Sequence, residues 1–193
     1  MNKMRVVLAS KSPRRRELLR SIFDEFEIIT RDTDESFPRG MHPKKAVEIL
    51  AVRKGEAVAN ELSFDTLVIS SDTLVELGGI PLGKPESEED AIKMLLALSG
   101  KAHNVHTGVA VHYKGSVYSG VDSATVIFKD FSRCEAEAYV KTGEPMDKAG
   151  AYAIQGVGGK LVSKYEGEFN TIVGLSLNLT KKLIDMAVCD DEE

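Results

Sequence analysis

Three consecutive arginines, Arg14-Arg15-Arg16, directly follow Ser12-Pro13. Serine then proline is a helix-start signal: the serine caps and the proline takes the first helical position. The arginines therefore fall in a first turn, where the helix dipole already places about half a positive charge. Without a bound anion, each guanidinium there costs on the order of a few tenths of a kcal/mol. Free N–H groups at a helix start and bidentate arginine forks both suit phosphate oxygens. A solvated basic turn that pairs with Glu17 accounts for the same residues without a ligand, and this segment alone leaves both readings open.

Asp72 follows the apolar run Leu67-Val68-Ile69 and the pair Ser70-Ser71. The pattern predicts a short buried strand with Asp72 at its carboxyl end. Ligand crevices in open α/β sheets form at that end, where a carboxylate can hold Mg2+ or orient a water. A turn-forming aspartate is the plainer alternative. Lys54 shares the apolar side of a predicted helix with Val47 and Leu50, so its ammonium either snorkels to solvent or points into a cleft. Lys84 sits in Gly83-Lys84-Pro85, a stiff turn able to present an ammonium to a phosphate but outside any P-loop pattern. His103 and His106 fall on opposite faces of a predicted strand, which is poor ligand geometry. There is no GxSxG elbow for serine catalysis.

The elements that must position these groups alternate. Strands are expected at Met4–Ala9, Phe26–Thr30, Leu67–Ile69, Val105–Tyr113, Val117–Phe128 and Leu161–Tyr165. Helices are expected after Ser12, from His42-Pro43 to about Leu62, from Ser87 to Gly100, from Ser132 to Val140 through a Ser132/Glu135 capping box, and within Asn170–Ala187. Glu144–Gly159 reads as a structured loop, and Cys189–Glu193 as a frayed acidic tail. This alternation with one hairpin predicts an α/β fold with a mixed sheet. The 193 residues suffice for one domain, 1–193, with two lobes. Hydrophobic residues at 42% and charged residues at 28% are those of an ordinary globular chain. No apolar run is long enough to span a membrane, and Met1–Leu8 is too short for a signal peptide. The two cysteines, Cys134 and Cys189, carry no disulfide or metal spacing and suit a reduced, cytoplasmic setting. A net charge of −5 argues against nucleic acid as a partner.

Taken in order, several segments resemble the Maf family of nucleotide pyrophosphatases. They are Leu8–Leu19, Asp34-Glu35, Lys54, Ser71-Asp72-Thr73, Gly83-Lys84-Pro85, Thr107-Gly108-Val109 and Glu144–Gly156, which span nearly the whole chain. The resemblance implies a two-lobed α/β fold, with an elongated mixed central sheet flanked by helices, ITPase-like, and the active site in the cleft between lobes. It implies hydrolysis of a nucleoside triphosphate to the monophosphate and pyrophosphate with a divalent cation, Mg2+ or Mn2+, and it admits a homodimer. By the same resemblance Asp72 is the general base, and Glu35, Lys54 and Lys84 line the site with it. Glu35 and Asp72 would hold the cation, and Ser10, Arg14, Arg15, Thr73 and Gln155 the substrate. Arg14, Thr73 and Gln155 together are similar to the branch acting on dTTP and UTP, since a glutamine's donor and acceptor suit an imide base edge. Gly174-Leu175-Ser176-Leu177 departs from the family's usual Gly-Leu-Pro-Leu, which implies a local change where the last helix begins.

In the expected reaction water attacks the α-phosphorus and pyrophosphate leaves, with Arg14, Arg15, Lys54 and Lys84 neutralising phosphate charge. An aspartate among so many cations is a poor proton acceptor, so ligating the cation could be the larger role of Asp72. Arg16 has no assigned role. Two other functions fit the same cleft: a nucleotide-sensing regulator of septum formation, and a pyrophosphatase for non-standard purine triphosphates.

Overall fold

The fold is a computed structural model that describes residues 4–189. In chain order the elements are β1 (Val6–Leu8), α1 (Pro13–Leu19), β2 (Glu27–Ile28), α2 (Pro43–Ala59), β3 (Leu67–Leu77), β4 (Ile80–Leu82) and α3 (Glu88–Leu98). There follow β5 (Ala102–Tyr113), β6 (Ser116–Phe128), α4 (Arg133–Val140), β7 (Val162–Glu166), α5 (Phe169–Val173) and α6 (Leu177–Cys189). The strands form one mixed sheet in the order β2-β1-β3-β5-β6-β7, with β4 paired to β3 off this path. β1 lies parallel to β2 and β3, whereas β3–β4 and β6–β7 are antiparallel. The expected α/β architecture, a mixed central sheet flanked by helices, is the one that forms. Of the expected acidic tail, 190–193 lie outside the described residues. Among the described residues no helix is long and apolar enough to cross a membrane.

The chain divides into two compact units. The first holds residues up to Asp72, Thr107–Asp122 and the chain from Gly174 on; the second holds Thr73–His106 and Ser123–Val173. In the first unit the apolar strands are buried on both faces, and side-chain alternation sorts their residues. Val6 and Leu8 of β1, Leu67 and Ile69 of β3, and Val109 and Val111 of β5 pack with Leu19 of α1 and with Leu183 and Ala187 of α6. Val7 of β1 and Val68 of β3 point the other way and pack with Val58 of α2. Burying each such Val or Leu contributes about 1.5–3 kcal/mol. Helix α2 comes unusually close to the sheet. A Cβ at Gly108 of β5 would lie 2.5 Å from the Val47 carbonyl oxygen, and one at Gly55 would overlap His112 and come within 2.6 Å of Ser70 Oγ. These two glycines let the helix backbone sit on the strands.

One expected boundary is corrected. β3 does not stop at Ile69; it runs on to Leu77, so Asp72 lies in mid-strand rather than at a strand end. The polar tract stays in the sheet because its hydroxyls find partners there. Ser70 Oγ donates to the Ala51 carbonyl at 2.7 Å, and Ser71 Oγ to the Gly174 carbonyl at 2.9 Å. The parallel pairing with β1 does end at Leu8–Ile69, three residues before Asp72. Several local signals hold as expected. Ser12 caps α1, Ser87 caps α3, and Ser132 with Glu135 forms the capping box of α4. Ser176 accepts from the Leu179 amide at 3.2 Å, so serine serves as the cap of α6 where proline is usual.

The second unit is built around Val75, Leu95, Leu98, Val105, Val126 and Phe128. His103 is buried in it, edge-on to Phe128, with Nε2 2.8 Å from the Tyr152 hydroxyl. Burial pushes its imidazole down from 6.5 to about 4. The unfolded chain therefore takes up a proton, as pH falls through that window, that the native chain refuses. Stability should drop by about 3 kcal/mol from this group alone. His112, whose pKa burial also lowers, adds to the same slope. Urea melts at about pH 7 and about pH 4.5 check this: His103→Gln should flatten the dependence. A variant as steep as the parent would place the acid sensitivity elsewhere.

Candidate active site

The alternation that sorts the core also sorts the polar residues of β3. Ser70 and Asp72 share the face covered by α2, and Ser71 takes the opposite one. Lys54 lies on α2 next to Gly55, where the helix presses on the sheet. Its ammonium meets Asp72 Oδ1 at 2.5 Å and Glu35 Oε1 at 2.8 Å. One cation thus holds together two carboxylates that are far apart in sequence. The Lys54 and Asp72 side chains are only 19% and 12% exposed, so their pairing is little screened; Glu35 at 60% reaches it from the surface.

Glu35 belongs to a segment with no regular structure, yet it is anchored on both sides. The Asp34 carboxylate accepts from the Ser36 amide at 2.8 Å and from the Ser36 hydroxyl at 2.9 Å. Arg53, the residue before Lys54, donates to the Ser36 carbonyl at 2.7 Å and the Asp34 carbonyl at 3.4 Å. Successive residues of α2 therefore hold the Glu35 backbone and its carboxylate. Arg53 escapes a reading of the sequence, because a half-buried helical arginine carries no local mark of a carbonyl partner.

Arg15 is committed within the fold. Its Nε donates to the Gly174 carbonyl at 2.8 Å and its Nη1 to Ser10 Oγ at 3.4 Å, while its amide is capped by Ser12. The Gly174 carbonyl also accepts from Ser71, so α1, β3 and the segment before α6 meet at one oxygen. Burial lowers the Arg15 guanidinium from its ordinary value; Asp72 and Glu35 pull it back up, and Arg14 pushes it further down. Arg14, Arg15, Lys54, Asp72 and Glu35 thus form one electrostatic cluster of three cations and two carboxylates. Buried Ser10 accepts from the Ser12 amide at 3.3 Å as well as from Arg15. Arg16 is exposed beside Arg20, Asp24 and Glu25, in a different surface hollow.

A family model described as Maf-like protein matches residues 5–187. The chain belongs to the Maf family. Among similar proteins named dTTP/UTP pyrophosphatase, that of Moorella thermoacetica is 47% identical over 182 residues, with 93% of each chain covered. That of Pelotomaculum thermopropionicum is 46% identical over 183 residues, covering 94% of each. That of Vibrio cholerae is 43% identical over 180 residues, covering 93% of this chain and 96% of its own. Among solved structures the Staphylococcus aureus Ham1 protein aligns over 98% of this chain and 100% of its own, with a TM-score of 0.54 at 17% identity. That likeness concerns the fold alone.

Of the residues the Maf resemblance singles out, the first unit gathers Ser10, Arg14, Arg15, Glu35, Lys54 and Asp72. Thr73, Lys84 and Gln155 belong to the second unit. There the carbonyl before Lys84, that of Gly83, accepts from the Gly150 amide at 3.0 Å, which ties the Lys84 turn to the turn at Ala149–Ala151. Lys84 and Gln155 are both exposed.

Asp72 and Glu35 offer hard oxygen ligands from two separate segments, the donor chemistry that Mg2+ or Mn2+ takes. Among the described residues no group of three or more His, Cys, Asp or Glu could hold an ion by itself. Mg2+ held by only one or two carboxylates commonly completes its coordination with water and substrate phosphates.

Proposed function

We propose that this chain hydrolyses dTTP and UTP to the monophosphate and pyrophosphate. The observation that carries the reading is the ammonium of Lys54 bridging Asp72 and Glu35 beside Arg14 and Arg15. The names of the similar proteins, dTTP/UTP pyrophosphatase, support the substrate class.

In this reading Arg14 and Lys54 neutralise phosphate oxygens, and Ser10 orients Arg15 toward them. Asp72 aligns a water for attack on the α-phosphorus. The new P–O bond forms as the bond to the α–β bridging oxygen breaks, and that oxygen departs with pyrophosphate. A divalent cation, Mg2+ or Mn2+, bound by Asp72 and Glu35 would neutralise charge and acidify the bound water. Lys84 is assigned to the departing phosphates, and Thr73 and Gln155 to the nucleoside, where an amide matches the imide edge of thymine and uracil.

A pyrophosphate-release screen over a nucleotide panel, with Mg2+ and Mn2+ in turn, tests this. The expected result is turnover of dTTP and UTP well above the others, dependent on added cation. Preferential turnover of ITP would count against the role of Gln155. Tight binding of dTTP with no pyrophosphate released would make the chain a sensor rather than an enzyme.

A further inference from the structure

The turn that carries Gln155 is held from both sides by a single side-chain pair. Glu144 Oε1 accepts from the Val157 amide at 3.0 Å, and Oε2 accepts from the Gly158 amide at 2.9 Å. The Tyr139 hydroxyl donates to Glu144 Oε2 at 2.6 Å and accepts from the Ala153 amide at 3.1 Å. Ala153 lies two residues before Gln155, and Val157 two residues after it. Tyr139 is buried and Glu144 half-buried, so these bonds compete little with water. Burial alone would raise the Glu144 carboxyl, but the Tyr139 hydroxyl and the Gly158 and Val157 amides hold it below its ordinary value. It is therefore an anion at neutral pH, and its bonds are charge-assisted.

The glycines of the turn follow from this contact. A Cβ at Gly156 would overlap Glu144 Oε1 and lie 2.5 Å from its Cδ. A Cβ at Gly158 would overlap the Tyr139 hydroxyl and lie 2.8 Å from Cζ. The backbone that follows Gln155 thus packs directly on the carboxylate and the phenol, with no side chain between them.

We propose that Glu144, acting with Tyr139, is the positioning residue that sets where Gln155 presents its amide, and so separates pyrimidine from purine triphosphates. The proposal rests on the reading of Gln155 as the residue that meets the base. Hypoxanthine and uracil both present an N–H beside a carbonyl, so donor and acceptor pattern cannot tell ITP from UTP. The purine carries that edge farther from the sugar. Discrimination between the two then depends on how far out the glutamine amide is held, which is a property of the backbone beneath it.

The experiment measures kcat and KM for UTP and ITP with the parent, Gln155→Ala, Glu144→Gln, Tyr139→Phe and the double variant Glu144→Gln/Gln155→Ala. Glutamine at 144 keeps the shape but can turn a donor toward the Gly158 amide and the Tyr139 hydroxyl. Tyr139→Phe removes one oxygen and releases the Ala153 amide; it decides the question alone if Glu144→Gln does not fold. The expected result is a UTP-to-ITP ratio of kcat/KM that falls about tenfold in Glu144→Gln, carried by KM for UTP. Tyr139→Phe should shift it the same way, and the double variant should be no less selective than Gln155→Ala. A merely structural role would lower both substrates together and leave the ratio in place. If Gln155→Ala loses the ratio while Glu144→Gln and Tyr139→Phe keep it, the positioning role is overturned and the reading of Gln155 stands. If Gln155→Ala keeps the ratio, the reading of Gln155 fails and takes the proposal with it.

Discussion

Asp72→Asn should lower kcat for dTTP by about 10²–10⁴-fold while leaving KM unchanged or slightly reduced. Asparagine matches the shape of aspartate, and its Oδ1 can still accept from Lys54, so the strand and the helix above it keep their places. Folding should be retained because Ser70 and Ser71, on either face of β3, hold their own partners without Asp72. What disappears is one negative charge, and in the proposed mechanism that charge is a ligand for the cation and an acceptor for the water's proton. Removing a carboxylate from a site that binds a polyanion does not weaken ground-state binding, which is why the loss should fall on kcat. Steady-state kinetics beside a thermal melt make the check. A rate within a few-fold of the parent, in a protein that melts normally, would remove Asp72 from the chemistry.

Lys54→Met should cost about 10²–10³-fold in kcat/KM, comparable to losing one preorganised donor at a developing charge. Methionine keeps most of the side chain's length and apolar stem, so packing on the sheet changes little. The effect is electrostatic. Asp72 and Glu35, both held by this ammonium, would face each other without it. Like charges that close favour a cation between them, so half-saturation with Mn2+ should move to lower concentration even as turnover falls. A titration of Mn2+ at saturating dTTP reads both effects. Unchanged turnover with an unchanged Mn2+ requirement would mean that the Lys54 bridge is structural only.

The parts of the fold written in local chemistry were legible from the sequence. Ser12-Pro13, Ser87 and the Ser132/Glu135 box each satisfy backbone groups within one turn, so the residues themselves announce the helix starts. The hairpin at Lys114-Gly115 is equally local, with both residues at positive φ. β3 differs from its sequence expectation for the opposite reason. Its Ser70-Ser71-Asp72-Thr73 tract looks like a strand end, and only partners at Ala51, Gly174 and Lys54 make it strand interior. Those partners are 19, 103 and 18 residues away.

The candidate site shows the same division. Lys54 stood out because a lysine on an apolar helix face needs an explanation, and the structure supplies Asp72 and Glu35 as that explanation. The Maf resemblance brought Glu35 and Gln155 into view, which no periodicity would have done. The supports behind them were not legible at all. Arg53 grips the chain beside Glu35, and Glu144 with Tyr139 grips the turn of Gln155, through backbone carbonyls and amides. Backbone groups have no residue type, so such contacts leave little trace in a sequence except the glycines they require. Gly156 and Gly158 were that trace. Arg15, a candidate phosphate ligand, also donates to Gly174 and Ser10, a tertiary role that its place in an arginine run conceals.

The roles of Lys54, Asp72 and Glu35 all follow from water attack on the α-phosphorus, and hydrolysis of dTTP in 18O-labelled water shows which phosphorus is attacked. One labelled oxygen is expected in the dTMP and none in the pyrophosphate. Label in the pyrophosphate would place the attack on the β-phosphorus. Release of labelled orthophosphate with dTDP would place it on the γ-phosphorus. Either result would contradict the assignment of Lys54, Asp72 and Glu35 to an α-phosphoryl centre.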